Sequence, residues 1–248
     1  MPDLPLASIV TAAIVVVLAY TVFGLTGFGS TIVGAPLLAH VLPIRFVVPL
    51  MLVFDLAAGL LLGVRNRSDI DGKELLRLAP FIAVGMLVGV TVLVRAPEAW
   101  LLGGLGAVVF AYACWSLAQR SAPRPVSARW VAPTGVVGGV FTALYGSGGP
   151  IYTTYLARRL GEANRLRATQ AVLIFCTAWA RLALFSASGL MLQASLLPLA
   201  FGLLPCAVLG YFIGSRLHLR LAPRRAARVI WILLLGSGGS LVWRALAM

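Results

Sequence analysis

The chain is 248 residues long, 60% hydrophobic and 11% charged, with a formal net charge of +13, whereas a soluble domain carries ~25% charged residues. That composition excludes an ordinary soluble protein, and runs such as 9–19 and 229–235, apolar on every face, exclude a transmembrane β-barrel with its period-two alternation. What remains is an all-α integral membrane protein in which each crossing takes ~20 apolar residues, and whose positive charge marks cytoplasmic loops rather than a nucleic-acid partner.

In chain order, the apolar runs predict a helix over 7–24, a glycine-rich break over 24–30, a short apolar piece over 31–42 and a helix over 46–64. No basic stretch precedes the first run, so it is expected to be a retained helix rather than a cleaved signal peptide. A polar loop over 65–77 leads to helices over 78–94 and 99–118, joined by a tight connection over 95–98. A basic linker follows over 119–129. The second half predicts a helix over 130–144, a break over 145–150, a short piece over 151–157 and a polar loop over 158–167. Helices over 168–185, 194–213 and 229–246 complete it, with a neutral loop over 186–193 and a basic one over 216–228. Cys114, Cys176 and Cys206 sit singly in separate runs, without disulfide or metal-ligand spacing, and are expected to be small core residues.

Each half therefore reads long, break, short, long, long, long. Gly27 and Gly146 stand 119 residues apart, as do Gly29 and Gly148. Sixteen of the 20 basic residues fall in the four loops 65–77, 119–129, 158–167 and 216–228. If each long-break-short unit is a hairpin that returns to its starting side, all four loops share one side, the cytoplasm. Both termini are then outside. The expected architecture is two inverted repeats of transmembrane helices, 1–118 and 130–248, each with a glycine-broken helical hairpin, joined by the cytoplasmic linker 119–129.

Broken helices in inverted repeats carry the substrate sites of many secondary transporters near the bilayer midplane. Non-helical backbone survives in hydrocarbon only where it is buried in protein or lines a watery cavity. Glycines let successive N–H groups converge on one point, and a helix starting there adds the positive end of its dipole. Pro150 fits a first-turn helix position. The breaks at Thr26, Gly27, Gly29, Ser30 and Thr31, and at Tyr145, Gly146, Ser147, Gly148, Gly149 and Pro150, are thus read as two halves of one anion site. Tyr152 and the hydroxyls of Thr153 and Thr154 lie just beyond, and Thr169 and Gln170 open the next long helix. The competing reading, glycines that only let helices approach, suits Gly103, Gly104, Gly106, Gly135, Gly138 and Gly139.

The segment Leu25-Thr26-Gly27-Phe28-Gly29-Ser30 with Pro36, paired with Gly146-Ser147-Gly148-Gly149-Pro150, resembles the duplicated glycine motif of the TauE/SafE family. The likeness extends over the whole chain in length, segment order and central basic linker, although Ser30 stands where another glycine is common. The resemblance implies a permease of the bacterial inner membrane for small sulfur-containing anions such as sulfite, sulfoacetate and other organosulfonates.

Asp55 and Arg181 are charges inside apolar helices, one in each half. A charge at a helix centre costs ~2.5–3.5 kcal/mol on insertion scales, so such residues are functional candidates by default. Arg181 is assigned to substrate contact and Asp55 to coupling; a purely structural pair between them is the alternative. Catalysis by Ser147 is rejected, because a nucleophilic serine needs a nearby base and neither His40 nor His218 is suitably placed. No phosphate-binding loop, metal site or cofactor is expected. The partners are the lipid bilayer, a small anionic substrate and a coupling ion, either a proton or sodium, with homo-oligomerisation left open. A non-transporting accessory subunit or anion sensor is the alternative function.

Overall fold

The computed structural model of the chain describes residues 5–26, 29–62, 69–118, 126–218 and 223–247. Among these no strand occurs. The helices are α1 (Leu6–Thr26), α2 (Ser30–Leu38), α3 (Ile44–Leu62), α4 (Gly72–Arg95), α5 (Glu98–Ala118), α6 (Val131–Tyr145), α7 (Gly149–Leu160), α8 (Ala163–Ala187), α9 (Leu196–His218) and α10 (Pro223–Leu246). Four described stretches are long and apolar enough to cross a membrane: Ala7–Leu25, Gly72–Arg95, Asn164–Ala187 and Leu196–Leu217.

The outer faces of these helices are apolar, with Leu87, Phe201 and Phe212 all more than half exposed. Cys114 and Cys176 are exposed as well, against the expectation of a core position. The reason is that lipid tails are as apolar as a protein core, so a small apolar side chain has little preference for the inside. The core is centred on α3, whose Val47, Val48, Leu50, Met51, Leu52 and Phe54 have no exposed surface. Helices α2, α8 and α9 surround it.

Three close helix pairs frame the molecule: α1 with α9, α4 with α6, and α5 with α10. Each is seamed by small residues. A Cβ on Gly139 would strike the carbonyl of Ile82, one on Gly24 would lie 2.5 Å from the carbonyl of Tyr211, and one on Gly106 would lie 2.7 Å from that of Gly238. Glycines on these faces let the backbones touch. The pairing also has a pattern. The first helix of either half packs on the fourth of the other, the fifth on the fifth, and the third helices, α3 and α8, on each other.

The structure moves several predicted boundaries. The loop expected over 65–77 gives way to helix at Gly72, because the Asp71 carboxylate caps α4 by accepting from the Glu74 N–H at 3.1 Å. The loop expected over 158–167 shrinks to Gly161 and Glu162, since α7 runs on to Leu160 and α8 starts at Ala163. Helices α9 and α10 likewise extend into the basic segment 216–228. The common cause is that Arg, Lys and Glu are good helix formers, so charge marks where the helix leaves the lipid and not where it ends. The linker over 119–129 lies largely outside the described residues.

Candidate functional site

Helix α6 ends at Tyr145 because Gly146 turns left-handed, with φ 69°. The Ser147 N–H then reaches back 3.2 Å to the Phe141 carbonyl and the Gly146 N–H 2.9 Å to that of Thr142, so two carbonyls of the last turn are satisfied. Gly148 precedes α7, and Pro150 occupies its first turn, where the missing N–H does no harm. The first break places its left-handed glycine at the start of the second arm instead. After α1 ends at Thr26, Gly29 is left-handed with φ 91°, and α2 starts at Ser30. Both breaks thus contain a glycine in a conformation that other residues rarely adopt.

The two breaks meet. A Cβ on Gly146 would lie 2.6 Å from Thr31 Cγ2 and 3.1 Å from Arg181 Nη2. Between them lies a cavity of about 190 Å³, bounded by Gly29, Ser30 and Thr31 from the first break and by Gly146, Ser147, Gly149 and Pro150 from the second. Among the described residues its charged lining is Asp55 of α3 and Arg181 of α8. The remaining wall is apolar or aromatic, including Phe23, Ile174 and Phe175.

Arg181 is 3% exposed. Its Nη1 lies 3.5 Å from Asp55 Oδ2, its Nη2 donates at 3.4 Å to the Val48 carbonyl, and its guanidinium sits 5.5 Å from the Phe185 ring centroid. Its Nε is buried without a partner, as is the hydroxyl of Ser147. A guanidinium has five N–H donors, so Arg181 is under-supplied with acceptors. Asp55 is in the opposite situation. Its Oδ1 accepts from Tyr20 and Ser30, both at 2.8 Å, and its Oδ2 accepts from Thr31 at 3.1 Å.

Of the other residues singled out in the sequence, Tyr152 lines the cavity and shares a 3.0 Å hydrogen bond with Thr142. Tyr145 is turned away, donating at 3.1 Å to the Leu101 carbonyl of α5. Gly148 does not line the cavity; it faces α6, where a Cβ would collide with the Thr142 hydroxyl. Thr153 and Thr154 donate to carbonyls of their own helix, and Thr169 accepts from the Asp71 N–H at 2.9 Å. The amide nitrogen of Gln170 is buried without a partner. Gly27 and the side chain of Thr26 lie outside the described residues.

Sequence reasoning missed Tyr20 and Thr142, whose hydroxyls are ordinary events in an apolar run. It also missed a second polar cluster, where α4 meets α7. Buried Glu74 accepts from Arg159 at 2.7 Å, Arg77 at 2.9 Å and Tyr155 at 3.0 Å. At the opposite end of the molecule Arg244 donates to the carbonyls of Ala39 and His40, tying the end of α2 to α10. Burial, then the Arg244 charge, lowers the pKa of His40 from its ordinary value.

Membrane-crossing helices around a small, charged cavity where two broken helices meet define a membrane transporter. The chain belongs to the TauE/SafE family: residues 12–241 match the family model described as Sulfite exporter TauE/SafE. Over 200 residues it is 28% identical to the probable inner membrane transporter protein TsaS of Comamonas testosteroni, a stretch covering 79% of this chain and 83% of that one. No solved structure matches it. The family consists of transporters rather than enzymes, and this chain is one of them.

Proposed function

We propose that this transporter is a secondary permease of the bacterial inner membrane that moves small sulfur-containing oxyanions, namely sulfite, sulfoacetate or another organosulfonate, by alternating access. The observation that carries this reading is the buried Arg181, under-supplied with acceptors and facing a cavity that also receives the unpartnered Ser147 hydroxyl. An oxyanion with three oxygens on one centre can accept from both. At about 190 Å³ the cavity is smaller than the ~300–1,000 Å³ of drug-sized ligand sites, which suits a compact anion. The family and the relative agree in kind, one described as a sulfite exporter and the other as a probable inner membrane transporter.

Alternating access is supported by the packing pattern, in which helices of the two halves exchange roles. On this reading the halves are inverted repeats, the basic loops are cytoplasmic and both termini are outside. The decisive experiment is flux of labelled sulfite, sulfoacetate and methanesulfonate into proteoliposomes holding the purified chain. Wild-type protein moves at least one of them, and Arg181→Gln lowers the rate ~30-fold or more, since losing one partner of a buried charge-assisted contact costs ~2–5 kcal/mol. Absence of flux of all three under every imposed gradient would favour an accessory or sensing role instead.

A further inference from the structure

Each glycine break contains one left-handed glycine, and the two differ in occupancy. At the second break the Ser147 hydroxyl and Arg181 Nε have no partner. At the first break the hydroxyls of Ser30 and Thr31, the opening residues of α2, are both spent on the Asp55 carboxylate. A carboxylate at a helix start, held by that helix's own first hydroxyls, is an anion in an anion site. Asp55 thus fills the first break from within, and the second is left open.

We infer that the breaks divide the labour: the second binds the substrate anion with Arg181, while Asp55 in the first carries one proton for each monoanion transported. The inference rests on the permease reading above. Its basis is charge balance. With Asp55 ionised, the pair with Arg181 is neutral, and adding an anion would bury a net negative charge. With Asp55 protonated, Arg181 loses its internal counter-ion, an anion takes its place, and the loaded site is neutral again. Burying an uncompensated charge costs several kcal/mol, so proton and anion enter together or not at all.

The surroundings of Asp55 allow both states. Among the described residues, Tyr20 of α1, Ser30 and Thr31 of α2 and Arg181 of α8 are the groups that face it. Of these the guanidinium is the most distant, at 3.5 Å, so the carboxyl keeps three nearer hydroxyls when the guanidinium turns to substrate. A hydroxyl accepts as readily as it donates, so the added proton finds an acceptor on Ser30 or Thr31. Tyr152 of α7 is the remaining titratable group of the lining, and its hydroxyl is engaged with Thr142. Helices α5 and α9 and the Leu190–Leu192 turn, which also pack on α3, contribute no residue to this lining.

The test uses the full chain in proteoliposomes with labelled sulfite and labelled methanesulfonate, the latter a monoanion at every working pH. With the membrane voltage clamped, a gradient of one pH unit, acid outside, should accumulate methanesulfonate ~10-fold, the equilibrium ratio for one coupled proton. Changing the voltage without a pH gradient should leave the rate unchanged. Asp55→Asn should bring the label only to equal concentrations, yet still exchange it across the membrane. Accumulation by Asp55→Asn matching the wild type overturns the inference, and so does wild-type flux that follows voltage and ignores pH. Those wild-type measurements decide the matter even if the variant does not fold. Flux of neither anion would instead remove the permease reading on which the inference stands.

Discussion

Arg181 and Asp55 stand out at the scale of single residues because one is short of partners and the other is amply supplied. The guanidinium has donors to spare and the carboxylate has three hydroxyls besides it. Their separation of 3.5 Å is long for an ion pair, so the contact holds the site neutral more than it binds the helices together. Stability measurements can distinguish the two roles. Removing one member strands the other, at a cost of ~3–5 kcal/mol for a buried pair, whereas replacing both by neutral residues of similar volume is often harmless. Arg181→Met alone should therefore lower the melting temperature markedly, and Arg181→Met combined with Asp55→Asn should restore most of the loss while remaining inactive. Thermal unfolding in detergent, alongside flux, checks both halves. Recovery of transport by the double variant would remove Arg181 from the substrate site.

At the scale of elements, the two left-handed glycines make a matched experiment. A non-glycine residue in this conformation costs ~1–2 kcal/mol, and that applies equally to Gly29 and Gly146. They differ in their surroundings: a Cβ on Gly29 meets nothing within 4 Å, while one on Gly146 would press on Thr31 and Arg181. Gly29→Ala should thus lower the melting temperature by only a few degrees, at ~2–4 °C per kcal/mol, and keep transport. Gly146→Ala should abolish transport by wedging the breaks apart. Equal activities of the two variants would mean that the approach of the breaks is immaterial.

The same elements show what the sequence could disclose. Glycine clusters, Asp55 and Arg181 were legible because each is out of place in an apolar run and must be compensated elsewhere. Tyr20 was not, because a buried tyrosine inside a helix looks like packing until its hydroxyl is seen 2.8 Å from Asp55. Nor was the different facing of neighbouring glycines, with Gly149 on the cavity and Gly148 on α6, since that depends on the turn angles of the break. Helix ends were misplaced where charge stood in for termination, as at Gly72 and Leu160.

For the whole molecule the question is which way the cavity faces. From Arg181 its lining follows α8 back through Ala178 and Ile174 to Ala171, ten residues or ~15 Å of helix, toward the end that carries Arg165 and Arg167. Along α3 it passes from Asp55 to Gly59, toward the same end. On the other side of Arg181 the path is shut, since Ile44, Val47, Val48 and Phe185 have no exposed surface. Among the described residues the cavity therefore extends toward the basic end and is closed by packing on the other side. On the proposal that the basic loops are cytoplasmic, this conformation is the inward-facing half of the proposed transport cycle. Thiol labelling in a background free of Cys114, Cys176 and Cys206 tests both statements together. Ala171→Cys should react with a membrane-impermeant reagent added from the cytoplasmic face and be silent from the outside. Val48→Cys should be silent from both faces until substrate and a pH gradient drive the cycle, and should then react from the outside. Labelling of Ala171→Cys from the outside in the resting protein would reverse the orientation drawn from the charges. A Val48→Cys that never reacts in a protein moving substrate would mean that transport does not pass between α3 and α8.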